Sequence, residues 1–281
     1  MIPQQLKDEF PFKSNYHFLT KKTSDVPSCN FLHYVDEGHG PIVLLLHGNP
    51  TWSFYYRKLI LKLRKDFRVI SLDHLGMGGS AKPKKADYSL PAHIQNLTHF
   101  IDRVVGKQQK INLVVHDWGG AIGLGWAVNN LRRLDKLVIT NSAAFPSFDI
   151  PKRILLCRFP LLGEVFMKYF NGFAFMATKL ACHKALSKKA AQGLLLPYKK
   201  PKDRIGVIKF VQDIPLSKRK STYKTLFSIE RKLSFFKGPS LLAWGEKDFC
   251  FHKKFLSKWK ALLPSAKVKT FPKAGHYLLE D

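Results

Sequence analysis

The sequence predicts an α/β fold: a mostly parallel, twisted sheet flanked by helices, with a helical block inserted late in the chain. Three observations lead there. The apolar run at 42–46 ("IVLLL") is continuous rather than alternating, as a strand covered on both faces requires, and further strands are expected at 68–72, 111–115 and 136–141. They alternate with segments of helical apolar spacing, the rhythm of parallel strands joined by right-handed crossovers. That rhythm stops between residues 146 and 233, where the chain turns helical, basic and aromatic, and it resumes afterwards.

Taken in order, "NFLHYVDEG" followed by "GPIVLLLHGNP" reads as an edge hairpin leading into the buried strand 42–46. Residues 52–66 have helical spacing, and 68–72 form the next strand. The loop "HLGMGGSAKP" contains Gly76, Gly78 and Gly79, but it lacks both the Gly-Lys-Ser/Thr ending of a phosphate loop and the dinucleotide spacing, so a turn is expected. A helix over 88–105, a strand over 111–115, the helix "GGAIGLGWAVNN" and a strand over 136–141 follow. After the helical block come "SLLAWGEKD" (240–248), the helix "KFLSKWKALLP" and a last strand in "KVKTFPKAGHYLLED". The expected division is a core domain of 1–145 and 234–281 with a helical cap domain of 146–233, bounded by Pro146 and Pro151 on one side and "FFKGP" on the other.

With 281 residues, 45% of them apolar and 13% aromatic, the chain can bury a sizeable core, which excludes global disorder. No run approaches the roughly 18 uninterrupted apolar residues of a membrane span. The best candidate, 159–181, is interrupted by Glu164, Lys168 and Lys179 and reads as amphipathic helices. The N-terminus lacks an apolar signal region, so no secretory signal is expected. Cys29, Cys157, Cys182 and Cys250 show no C-x-x-C and no paired histidine spacing. Neither a metal nor a disulfide framework is expected, and a reducing cytoplasm is the simplest location, with membrane association left open.

The net charge is +27, and residues 146–233 hold 19 Lys/Arg against 5 Asp/Glu, or +14 of that total. Attraction to an anionic membrane surface, an acidic protein partner or a multienzyme assembly is one reading. A solvated lysine-rich face is the other, because the lysines are interspersed rather than blocked; no nucleic acid is expected.

The chemistry centres on "VVHDWGG" (114–120), a strand, sharp turn and helix in the pattern of a nucleophile elbow, with Asp117 at its apex. A lone Asp at a strand end is commonly a cap. Here three other segments end at the same carboxyl edge of the sheet: "LLLHGNP", "WGEKDF" with Asp248, and "KAGHYLLED" with His276. Nucleophile, acid and histidine follow one another in the order of a hydrolase triad. A serine attacking an sp³ carbon would leave an ether that the enzyme could not cleave. A carboxylate leaves an ester, which water activated by His276 can open at the carbonyl. Aspartate therefore points to an alkyl carbon bearing a leaving group. The indole N–H of Trp118 and the side-chain amide of Asn49 are the candidate donors to the departing anion, with core packing and turn formation as their ordinary alternatives.

"HGNPTWSFYYRKLI", "LDHLGMGGSAKP" and "VVHDWGGAIGLGWA" resemble the motifs of the haloalkane dehalogenase family of α/β-hydrolases through essentially the whole chain. The resemblance implies an α/β-hydrolase fold with nucleophile Asp117, base His276, acid Asp248 and leaving-group donors Asn49 and Trp118, no cofactor, and a small hydrophobic substrate. The family's other acid position, near Asn141 and Ser142, is neutral here. An Asn–Trp donor pair with the acid after the late strand resembles the third subfamily, which includes β-lactone decarboxylases of bacterial olefin biosynthesis. The cap segments "RFPLLGEVFMKYFNGF" and "LLLPYKKPKDRIGVIKFVQDIP", with "DFCF" and "AGHYLLED", resemble those enzymes. The cap would then supply an acyl-chain pocket, with Phe145, Phe159, Phe173 and Phe175 as candidates. The resemblance also implies a final helix beyond Asp281.

Two reactions remain open at this stage: decarboxylation of a β-lactone to a cis-alkene, and hydrolysis of a carbon–halogen bond. Epoxide hydrolysis would require two cap tyrosines, with Tyr169, Tyr198 and Tyr223 as candidates. A non-catalytic basic scaffold would be expected to have lost Asp117 or His276.

Overall fold

A computed structural model describes residues 2–19 and 30–281, so Cys29 lies outside the described residues. Strands β1 (Asn15–Phe18), β2 (Phe31–Glu37), β3 (Ile42–Leu46), β4 (Arg68–Leu72), β5 (Ile111–Asp117), β6 (Leu134–Ser142), β7 (Ser240–Gly245) and β8 (Lys267–Phe271) form one sheet in the order β1-β2-β4-β3-β5-β6-β7-β8. The pairs β1–β2 and β2–β4 are antiparallel, and every pair from β4 to β8 is parallel. The result is a mostly parallel eight-stranded sheet with helices on both faces, as the sequence predicts.

The hairpin expected between 30–38 and 42–46 does not form. β2 pairs with β4 and β1, and β3 is two positions away. The reason lies in β3, all five of whose residues are buried: both of its edges are taken by parallel partners, β4 and β5. The "EGHG" turn releases the chain to cross over, with Gly38 and Gly40 at φ 77° and 100°. Strand β1, which no sequence signal announced, covers the outer edge of β2.

Pleating sorts the core. Ile42, Leu44 and Leu46 face a cluster containing Leu97 and Phe100 of α2 (Leu90–Phe100) and Leu124 and Trp126 of α3 (Trp118–Ala127). Val43 and Leu45 face the opposite cluster, with Trp52, Tyr56 and Ile60, the last in α1 (Arg57–Leu63). The segment expected as one helix over 52–66 divides into a tight turn at Ser53–Tyr56 and α1.

Between β6 and β7 lie α4 (Lys152–Cys157), α5 (Leu162–Tyr169), α6 (Gly172–Leu180), α7 (Lys188–Leu195), α8 (Ile205–Asp213) and α9 (Ser221–Leu233). Helix α10 (Lys253–Leu262) then connects β7 to β8. Among the described residues, no helix is long and apolar enough to cross a membrane.

The segment after β8 is held by its last two residues. Glu280 accepts from the buried guanidinium of Arg57, which also donates to Glu9 at 2.8 Å. The Asp281 carboxylate accepts main-chain N–H groups of Gly275, His183 and Lys184 at 2.7, 2.9 and 2.8 Å. Residues 275–281 are thereby tied to α1 and to the segment between α6 and α7.

Candidate active site

Asp117 ends β5 and precedes α3 with φ 48° and ψ −126°, a conformation that L-residues avoid. Its surroundings hold that geometry. Ser142 donates its hydroxyl to the Asp117 carbonyl at 2.6 Å, and a Cβ at Gly119 would run into the Leu46 carbonyl. Gly48 is required for a similar reason, since a side chain there would occupy the space of the Asp117 carboxylate. The strained turn lifts that carboxylate to the carboxyl edge of the sheet.

The carboxylate is held by main-chain donors. The Asn49 N–H donates to Oδ1 at 2.6 Å, and the Trp118 N–H also bonds to it. Burial raises the Asp117 pKa above the ordinary carboxyl value, against the opposing pull of His276 and these two N–H groups. Two main-chain amides on this carboxyl group are the donors that would stabilise an oxyanion at Cγ when an ester of Asp117 is attacked.

His276 faces Asp117, with Nε2 3.9 Å from Oδ2, and its Nδ1 is 2.8 Å from Oδ2 of Asp248. Asp248 sits in the loop after β7, beyond the end of the strand at Gly245. Its other oxygen accepts the N–H groups of Cys250 and Phe251 at 2.6 and 3.1 Å. This orients the carboxylate towards the imidazole. Burial alone would lower the His276 pKa, but the charge and hydrogen bond of Asp248, with the charge of Asp117, raise it above the ordinary histidine value.

Asn141, at the family's other acid position, donates to the Gly245 carbonyl at 3.0 Å and accepts from its N–H at 2.8 Å. It clamps the ends of β6 and β7 together.

Asn49 and Trp118 both line the cavity above Asp117. The Asn49 side-chain amide, however, donates to the Val207 carbonyl of α8 at 3.1 Å, linking the cap to the core. Its Oδ1 is buried and has no partner among the described residues. Trp118 packs against Phe210 of the same helix, with ring centroids 5.3 Å apart.

The cavity holds about 710 Å³, within the usual range for small-molecule sites. Asp117 and His276 stand at one side, while Phe145, Phe159, Phe173 and Leu226 give it an apolar lining. Phe175 does not line it and is half exposed. None of the three candidates for the two tyrosines that epoxide opening would need reaches it. Tyr198 is buried, with its hydroxyl 3.4 Å from the Thr51 carbonyl; Tyr223 stacks on Phe148; Tyr169 is exposed.

Among the lining residues that the sequence did not mark as part of the site are Cys250, Phe251 and Tyr277. Their signal was adjacency, since each lies within three residues of Asp248 or His276. Burial, with Asp248 and Asp117 nearby, pushes the Cys250 thiol well above its ordinary pKa and keeps it protonated. Among the described residues, no cluster of three His, Cys, Asp or Glu could hold a metal ion.

A strained acidic elbow, a histidine–aspartate pair and two main-chain donors at the carboxyl edge of a parallel sheet define an enzyme of hydrolase architecture. The chain belongs to the alpha/beta hydrolase fold family, which it matches over residues 41–281. It is 40% identical over 278 residues to a cis-3-alkyl-4-alkyloxetan-2-one decarboxylase of Shewanella oneidensis, covering 96% of this chain and 85% of the relative. A decarboxylase of the same description from Xanthomonas campestris pv. campestris is 39% identical over 275 residues, covering 93% of this chain and 91% of that one. The crystal structure of haloalkane dehalogenase DbeA from Bradyrhizobium elkani superposes with a TM-score of 0.84 at 22% identity, over 96% of this chain and 93% of that chain, a likeness of fold.

Proposed function

We propose that the protein decarboxylates a cis-β-lactone carrying two alkyl chains, with Asp117 as nucleophile. One observation carries the reading: the Asp117 carboxylate, fixed by two N–H donors, faces an apolar cavity of about 710 Å³. The decarboxylase relatives support this substrate.

Asp117 attacks the ring carbon bonded to the ring oxygen, and that carbon–oxygen bond breaks with inversion. The freed ring oxygen becomes part of a carboxylate on the neighbouring carbon. Loss of carbon dioxide then sends the electron pair of the carbon–carboxylate bond into a new double bond as the bond to Asp117 breaks. Inversion followed by anti loss retains the cis arrangement and returns Asp117 unchanged. His276, held by Asp248, places positive charge beside the Asp117 carboxylate when protonated and lowers the cost of its departure. No water is consumed, which suits an apolar cavity.

The second reading is hydrolytic dehalogenation, favoured by the presence of Trp118 and Asn49 on the cavity wall. In it, Asp117 displaces halide and His276 activates water against the resulting ester. One N–H of the Asn49 amide is taken by the Val207 carbonyl, which leaves the second as the donor this reading would need.

Supplying a long-chain cis-β-lactone and a 1-haloalkane in parallel tests the choice. The lactone is expected to give alkene and carbon dioxide, with no free halide from the haloalkane. Halide release without alkene would reverse the assignment.

A further inference from the structure

Helices α4–α6 leave a broad apolar surface open to solvent. Leu161, Phe170, Leu156 and Leu162 are 77, 72, 70 and 67% exposed. α5 packs against both α4 and α6, so these exposed side chains lie on three adjoining helices and their connecting turns. Single exposed leucines are ordinary, but a cluster of this size marks an interaction surface. Leu161 is moreover held at φ 63°, a left-handed conformation unfavourable for leucine, which a sequence selected only for folding would readily replace with glycine or asparagine.

Two further observations say what covers it. The first is charge: residues 150–202 contain eleven Lys/Arg and a single acid, Glu164. Lys168 lies 5.4 Å over the ring of Tyr169, and Lys179 lies 5.8 Å over that of Phe175. Ammonium groups beside exposed aromatics are the arrangement of a helix lying in a lipid headgroup layer. The second is continuity with the cavity: Leu156, Phe159, Leu162, Phe166 and Met176 both line the cavity and are exposed on this surface. The cavity therefore opens within the apolar patch.

We propose that this face docks on an anionic lipid bilayer, so that a substrate dissolved among the acyl chains enters the cavity without crossing water. The need for such delivery rests on the long-chain lactone reading above; the docking itself does not. An apolar centre with a predominantly basic rim complements a negatively charged bilayer. A protein interface would instead be expected to carry both signs to fix its register.

The test is co-sedimentation of the full chain, without substrate, with sucrose-loaded vesicles of phosphatidylglycerol and phosphatidylcholine or of phosphatidylcholine alone. Binding is expected to the mixed vesicles at low salt and to fall steeply as salt is raised. Leu161→Asn with Phe170→Asn, neither of which lines the cavity, is expected to weaken binding roughly tenfold or more. Lys168→Gln and Lys179→Gln are each expected to weaken it roughly fivefold. Turnover of a short-chain lactone supplied in solution is expected to remain unchanged in the double Asn variant, which also shows that the variant is folded.

Failure to sediment with mixed vesicles, or sedimentation indifferent to the double substitution, overturns the proposal. So does an oligomer in gel filtration that the double substitution dissolves, since the face would then belong to a protein contact. Vesicle binding without alkene formation supports docking and counts against the chemistry alone, so the two readings fail separately.

Discussion

The sheet edge and the cap solve opposite problems with the same apolar residues. At the edge, β3 and β5 bury nearly every side chain, and polar groups are placed one at a time with their partners: Asp117 with two N–H groups, His276 with Asp248, and Asn141 with Gly245. In the cap, α4–α6 expose leucines and phenylalanines and surround them with lysine. The first region is over-determined, as a strained turn at Asp117 requires. The second trades packing for an accessible apolar surface, and little there depends on any one side chain. Substitutions in the two regions are therefore expected to differ in kind as well as size.

The largest effect is expected at the elbow. Asp117→Asn is expected to lower turnover by about 10⁴-fold or more, measured as alkene formation, while thermal unfolding is retained. Next is the buried ion pair that secures the His276 segment. Glu280→Ala leaves the Arg57 guanidinium without its principal partner and is expected to cost about 3–5 kcal/mol in denaturant unfolding. A loss much below that would mean that residues 275–281 are held chiefly by the Asp281 contacts.

Asp213 joins the two regions. Its carboxylate, at the end of α8, accepts the Leu90 N–H at the start of α2 and the Thr222 hydroxyl, at 2.8 Å each. Burial raises its pKa to about 6 from 3.8. Because the folded value lies above the unfolded one, this group's contribution is fully present below about pH 4 and is lost as pH rises through 6, by about 3 kcal/mol. Asp213→Asn is expected to flatten that part of the stability–pH curve, read from urea midpoints across the window. The smallest effect is expected on the cap surface: Phe175→Ala should change stability by no more than about 0.5 kcal/mol. A large loss there would contradict the contrast between the regions.

Much of the sheet edge was legible because its constraints are local. The unbroken run "IVLLL" requires two covered faces, and Asp117 followed by two glycines requires a tight turn. Strand partners were less legible: the pairing of β2 depends on which neighbours occupy β3, and no turn residue records that. Main-chain chemistry was hidden as well. Asn49 drew attention through its side chain, yet the group it presents to Asp117 is its N–H, which any residue other than proline would carry. The tyrosines of the cap show the converse. Residue type made Tyr169, Tyr198 and Tyr223 candidates, and only packing reveals that none lines the cavity.

Everything proposed for the site requires a covalent bond from the elbow carboxylate to substrate carbon. Acid-quenching the His276→Phe variant during exposure to a long-chain cis-β-lactone, then mapping its peptides by mass spectrometry, addresses that bond directly. A mass increase equal to the substrate on the peptide containing Asp117 is the predicted result. An unmodified Asp117 at every quench time, while the parent enzyme consumes the same lactone, would contradict it.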